Sequence, residues 1–208
     1  MSGQITKLTY LRNGGLRVFV DGQALCVIDA ADWGAFGLSK GDALSGEIGE
    51  ALQQCAQRFE ARKRAAASLA CQAYSAKGLE RRRLRQKGTP AQAAQEAVEH
   101  YRSLGYLEDG VFAQNLAQRL HETKNYAKRR IAREVRAKGV EQQTVQEVLE
   151  TLPPDEAALR RSLEKKYRTV DWSDAVQRRR AVRALLRDGF AWEQIAAVVG
   201  HVQEEEWE

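Results

Sequence analysis

Three short basic runs are the residues whose types and spacing could do chemistry: Arg81-Arg82-Arg83, Lys128-Arg129-Arg130 and Arg178-Arg179-Arg180. A guanidinium is a planar fork of donors that keeps its charge and can hold a phosphate or a carboxylate by two bonds at once. Neighbours on a helix lie about 100° apart, so a triplet spans most of the circumference. Arg129, Arg133 and Arg136, spaced by four and three, instead share one face. That face could meet nucleic-acid phosphates or the carboxylates of an acidic protein surface. Tyr126, one turn from Arg129 and Arg130, could stack on a base, although a tyrosine at a helix start more often packs. The plainer account of this face is solvation, with ion pairs to Glu134 or to the next repeat. The candidate contact residues are Arg129, Arg130, Arg133 and Arg136 first, with Lys128 and Lys138 flanking them, then Arg82, Arg83, Arg178, Arg179 and Arg183.

Other chemistry is sparse. His100, His121 and His201 are far apart, and none stands at metal-ligand spacing from a second ligand. The sequence contains no CxxC, HExxH, phosphate loop or dinucleotide fingerprint. The expectation is a non-enzymatic protein with no metal and no cofactor.

The elements that must position the arginines form an internal repeat. Gly88, Gly139 and Gly189 lie about fifty residues apart. Four residues before each glycine stand Leu84, Val135 and Leu185; six after stand Ala94, Val145 and Ile195; ten after stand Val98, Leu149 and Val199. The second and third basic triplets start at the same offset from their glycines, while the first sits four positions closer to Gly88. Each glycine ends one amphipathic helix and a second follows, so the fold expected for most of the chain is tandem three-helix repeats. Helices are expected near residues 79–86 and from Thr89-Pro90 onward in repeat one. Three follow between Val111 and Leu152, and three more near 155–167, 174–187 and 191–199. Pro153-Pro154 separates the second unit from the third. Ile131 and Val135, with Val145 and Leu149, should be scaffold, and the arginines the variable part.

Residues 1–60 read differently. Runs at 5–12, 16–20 and 23–28 have strand character, and Asp21-Gly22 between two of them is a hairpin signal. A three-stranded meander is too small to stand alone and needs a covering helix. Residues 29–36 could form a short helix capped by Asp29. A long helix is expected from Ser45 to about Ala76, linking the sheet to the repeats. The expected division is a β/α module at 1–60, linker helix and repeat one at 61–107, repeat two at 108–152, repeat three at 155–201 and an acidic tail at 202–208.

At 208 residues, 43% hydrophobic with a mean hydropathy of -0.54, the chain can hold a real core with much charged surface. No apolar run approaches a membrane span, and the first residues lack a signal-peptide core. Three widely spaced cysteines, Cys26, Cys55 and Cys71, read as reduced and structural in a cytoplasmic setting. The net charge of +5 is uneven: residues 76–138 carry fifteen Lys/Arg against seven Asp/Glu. The middle of the chain is therefore the footprint for an anionic partner. Beyond it, residues 203–208 carry four glutamates around Trp207, a segment that could mimic nucleic-acid charge and compete for basic surfaces, or stay disordered.

Two stretches carry a resemblance to a known family. Residues 104–113, LGYLEDGVFA, resemble the LGYLDDERFA signature of the RecX regulatory proteins. Residues 128–140, KRRIAREVRAKGV, resemble the segment that follows it there, in the same order and spacing. Gly110-Val111 departs from the family's usual acidic and basic pair. The resemblance implies an elongated, curved array of three-helix repeats and a modulator of RecA, the bacterial recombinase. RecX proteins are expected to lie in the groove of the RecA–DNA filament as monomers and to inhibit its ATP hydrolysis, strand exchange and co-protease activity. They would thus act in the SOS response and DNA repair. The rival readings are a helical-repeat protein that binds single- or double-stranded DNA directly through phosphates, and a helical scaffold for another protein.

Overall fold

The structure, a computed structural model, describes residues 3–199. The chain divides into two compact units, Met1–Leu107 and Glu108–Glu208.

The first unit opens with an antiparallel sheet: β1 (Gly3–Tyr10), β2 (Gly15–Val20), β3 (Gln23–Asp29) and β4 (Ala43–Leu44), in the order β3-β2-β1-β4. The hairpin falls where Asp21-Gly22 placed it, with positive φ at both residues. The sheet has four strands, one more than expected. The fourth is two residues long, pairing with Gly3 and Gln4, and so short a strand has no alternation to read. Ile5, Leu16, Val18 and Ile28 are fully buried, and Trp33 of the short helix α1 (Ala30–Trp33) is largely so.

The cover for this sheet is α2 (Gly46–Leu69), whose start is capped by Ser45 accepting from the Ile48 amide at 3.3 Å. Leu52 and Cys55 of α2 belong to the sheet's core, while Ala61 and Ala65 belong to the core of the first repeat. One helix thus serves both, and residues 60 and 61 lie inside it. It ends at Leu69, seven residues before the expected end. Ser75, buried, caps the next helix by accepting from the Gly78 amide at 3.0 Å. That helix, α3 (Ala76–Gly78), runs on as a π-turn over Leu79–Leu84 and a 3-10 turn over Arg85–Lys87. In the π-turn the Arg85 amide reaches the Glu80 carbonyl, five residues back. Leu79 and Leu84, also five apart, can therefore both point inward, and both are fully buried. After Gly88, α4 (Ala91–Ser103) closes the repeat with Ala94, Ala97 and Val98 in its core.

The second unit holds two three-helix repeats. The first comprises α5 (Asp109–Thr123), α6 (Lys128–Ala137) and α7 (Gln142–Thr151) around Ala113, Ala117, Ile131, Val135, Val145 and Val148. The second comprises α8 (Asp155–Lys166), α9 (Ala175–Arg187) and α10 (Trp192–Val199) around Leu159, Val182, Leu185, Phe190 and Ile195. Trp172 and Trp192 pack on that core. Positions four before and six after each repeat glycine are buried in all three copies, at 1% exposure or less. No helix among the described residues is long and apolar enough to cross a membrane. The acidic tail, with Trp207, and His201 lie outside the described residues.

Candidate anion-binding groove on α6 and the α9–α10 turn

The groove is built on a joint between the two repeats of the second unit. Ala127, just before α6, is completely buried in the neighbouring repeat's core. Its amide donates to the Asp188 carbonyl at 3.0 Å, and the next amide, of Lys128, donates to the Asp155 carboxylate at 2.9 Å. The third repeat thus gives an acid to the electropositive start of α6. It gives bases to the end of α5. Arg161 donates to the His121 carbonyl (3.3 Å) and to Asn125 Oδ1 (3.1 Å), and Lys166 to the Lys124 carbonyl (3.2 Å). Gly189, at φ +97°, lies so close to α6 that a Cβ there would sit 2.7 Å from the Arg130 amide nitrogen.

Arg130 locks this joint. Its Nη1 donates to Asp188 Oδ1 at 2.6 Å and to the Arg187 carbonyl at 3.0 Å, and its guanidinium lies over the Tyr126 ring at 3.8 Å. Glu134 stands 3.7 Å from its Nε, and Lys166 reaches the other Asp188 oxygen at 3.4 Å. Both Arg130 and Asp188 are mostly withdrawn from water, with 22% and 13% of their side chains exposed. Of the two accounts of the basic face, Arg130 therefore fits the ion pair to the next repeat, and Tyr126 packs beneath it.

The other three arginines of α6 face solvent. Ile131, Ala132 and Val135 are buried, which turns Arg129, Arg133 and Arg136 outward. With Arg130, Leu186, Arg187, Gly189 and Phe190 they line a concavity of about 890 Å³. Arg136 Nε donates to the Ala132 carbonyl of its own helix at 3.1 Å. No carboxylate among the described residues is within ion-pair distance of Arg129, Arg133, Arg136 or Arg187. Leu186, 40% exposed, puts an apolar surface beside these charges. The arrangement suits an anion carried on a chain that also has an apolar group.

The remaining candidates are dispersed. Lys128 and Lys138 are half-buried at the two ends of α6. Arg178 is half-buried and donates to the Trp172 carbonyl at 3.2 Å, while Arg179 and Arg183 are exposed on α9. In the first unit Arg82 is exposed and Arg83 lies against Tyr74, its Nε donating to the phenol oxygen. Sequence reasoning missed Leu186, Arg187 and Asp188. The signal was available: they directly precede Gly189 in the register already aligned on the repeat glycines.

No group of three or more His, Cys, Asp or Glu among the described residues could hold a metal ion. The three cysteines are free, and burial, with Cys55 nearby, pushes the Cys26 thiol up to about 11.

The fold defines a helical-repeat protein whose second unit exposes guanidinium groups that have no carboxylate partner among the described residues. Residues 109–149 match the family model for the second three-helix domain of RecX, and residues 154–199 that for the third. The regulatory protein RecX of Streptomyces coelicolor is 32% identical over 128 residues, 60% of this chain and 68% of the relative. That of Trichlorobacter lovleyi is 33% identical over 115 residues, 53% of this chain and 75% of the relative. The chain belongs to the RecX family. A crystal structure of a regulatory protein RecX shares the fold at a TM-score of 0.72 and 18% identity, covering 94% of this chain and 98% of that one. RecX from Lactobacillus salivarius matches at 0.54 and 16%, covering 69% of this chain and 94% of that one.

Proposed function

We propose that this chain is a negative regulator of the RecA recombinase that binds the RecA–DNA filament through the α6 groove. Family membership supports the target. The observation that carries the site is the set of four arginines, Arg129, Arg133, Arg136 and Arg187, held on one concave surface without carboxylate partners among the described residues. Their forks would engage carboxylates of the filament groove and nearby phosphates, and the packed repeats behind them would obstruct ATP turnover, strand exchange and co-protease action. Leu186 beside the arginines favours a protein surface over bare phosphodiester.

Charge reversal within the groove tests this reading. The joint makes Arg130 a poor choice, since its loss would leave Asp188 facing only Lys166. The cleaner variant is Arg133→Glu with Arg136→Glu. It should raise the concentration needed to inhibit RecA's DNA-dependent ATPase by at least about tenfold, or about 1.4 kcal/mol, with helicity and melting unchanged. Undiminished inhibition by that variant rejects the site. If the chain instead acts on DNA alone, affinity for bare oligonucleotide would fall with salt at a log–log slope of about 0.7 to 0.9 per phosphate contact. Cosedimentation with filaments and with bare single- and double-stranded DNA across a salt series distinguishes the two.

A further inference from the structure

We propose that the first unit holds a separate anion site, a cavity beside the Gly88 turn that takes the di- or triphosphate group of a small molecule. This goes beyond the RecA reading and does not depend on it.

The cavity, about 530 Å³, is lined by Arg64, Ala67 and Ser68 of α2, by Cys71 just beyond it, and by Arg83 and Lys87 of the segment that leads into Gly88. That volume is in the range of small-molecule sites. Three cations line it, with no Asp or Glu among the lining residues. The two arginines are fixed in place while keeping donors to spare. Arg83 lies over the Tyr74 ring at 5.4 Å and gives its Nε to the phenol oxygen, which leaves both terminal nitrogens for a ligand. Arg64 gives Nη1 to the Lys87 carbonyl at 3.0 Å and to Thr89 Oγ1 at 3.3 Å, and Nε to Glu60 at 3.1 Å, which leaves Nη2. No carboxylate among the described residues is within ion-pair distance of Arg83 or Lys87.

The third repeat contains a neutralised version of the same arrangement. There too an arginine from another helix, Arg130, gives Nη1 to a carbonyl shortly before the repeat glycine, that of Arg187, at 3.0 Å, and has a glutamate of its own helix near its Nε. Both turns pass through a left-handed glycine, Gly88 and Gly189. The residue just before that glycine decides the charge. In the third repeat it is Asp188, whose carboxylate meets Arg130 at 2.6 Å. In the first it is Lys87, whose ammonium adds to Arg64 and Arg83. One repeat therefore supplies its own anion, and the other does not.

Charge density selects the ligand. Three cations less the one Glu60 carboxylate on Arg64 leave a net charge of two around a small volume. A terminal phosphate carries about two negative charges on one group, and guanidinium forks match its oxygens. A glutamate side chain or a phosphodiester carries one charge per residue, so a chain of either would leave most of its charge outside the cavity.

Cys71 provides the readout, since it is exposed on the cavity wall while Cys55 is buried and Cys26 half-buried. The full chain is alkylated with N-ethylmaleimide, an uncharged reagent, without divalent cations and at physiological ionic strength. The rate at Cys71 is followed by peptide mass spectrometry. Sodium pyrophosphate and adenosine triphosphate should each slow it, by about tenfold at ten times the dissociation constant. Lys87→Gln and Arg83→Gln should each raise the pyrophosphate concentration for half-protection by about tenfold, as loss of a charge-assisted bond predicts. Lys87 is exposed, so Lys87→Gln should leave melting of the free chain unchanged. Arg85→Gln, in the same segment but outside the lining, should leave protection unchanged, as should Arg133→Glu/Arg136→Glu in the α6 groove. A Cys71 rate that neither compound alters overturns the proposal. So does an equal loss of protection in Arg85→Gln, which would mark diffuse charge, or equal protection by hexaglutamate, which would make the cavity a peptide site. Protection by the nucleotide at much lower concentration than by pyrophosphate assigns a nucleotide ligand, and equal concentrations assign the phosphate group alone. None of these readouts involves RecA, so this site and the α6 groove can fail separately.

Discussion

Gly189 is the residue where conformation and packing coincide. It has φ +97° and lies against the Arg130 backbone, whereas Gly88, at φ +81°, faces open space. Gly88→Ala should therefore cost only the left-handed penalty, about 1 kcal/mol. Gly189→Ala adds a backbone collision and should cost at least about 2–3 kcal/mol. Differential scanning calorimetry should show the transition of the second unit lowered by roughly 10 °C in Gly189→Ala and by about half of that or less for the first unit in Gly88→Ala. Asp188 is the other residue of this kind. Asp188→Ala leaves Arg130 and Lys166 without their shared carboxylate. Partial exposure of both cations reduces the cost to about 1–2 kcal/mol, measurable by urea unfolding, and Asp188→Asn should lose less.

At the scale of elements, the last turn of α5 carries a buried histidine. Burial first, and then Arg161, hold the His121 imidazole below its usual range, with Lys128 adding to the effect and Asp155 and Glu122 opposing it. A folded-state value below the unfolded one means that the unfolded chain binds the proton more readily. The stability tied to neutral His121 is complete above the unfolded value, near 6.5. It is lost as pH falls from there through the depressed folded value. Urea midpoints between pH 7.5 and 5 should fall in the unaltered chain and fall less steeply in His121→Gln. The π-turn at Leu79–Leu84 makes a different prediction. It accommodates two inward leucines five residues apart, so deleting the exposed Arg82 brings them to α-helical spacing. Thermal melting of the deletion variant should stay within a few degrees of the parent. Deleting Arg133 from the regular turns of α6 would rotate Val135 out of its core and should abolish cooperative melting of the second unit.

At the scale of the molecule, each compact unit has buried clusters of its own among the described residues: two in the first, around the sheet and around repeat one, and two in the second. A fragment of residues 108–208 should therefore fold alone, with a dispersed amide spectrum and its own cooperative transition. If it carries the groove as proposed, it should retain measurable inhibition of the RecA ATPase. An unfolded fragment would show that the division between the units is not one of stability.

Much of this was legible in one dimension. The repeat period, the scaffold positions around Gly88, Gly139 and Gly189 and the hairpin at Asp21-Gly22 follow from local periodicity and turn stereochemistry, which act between residues a few positions apart. The family followed from two contiguous stretches. The early end of α2 and the π-turn did not show, because no glycine or proline stands at 70–75 or 79–84, and the fourth strand did not, because it is two residues long and fixed by pairing with the distant Gly3 and Gln4. The same holds for the arginines. Four on α6 looked equivalent, since helical spacing gives a residue's direction but not what stands opposite it. Only when Asp188, from a repeat more than fifty residues away, reaches the start of α6 does Arg130 become part of the joint. Arg129, Arg133 and Arg136 then remain as the groove: the sequence determined that a charged face exists, and tertiary packing decided which of its charges are already paired.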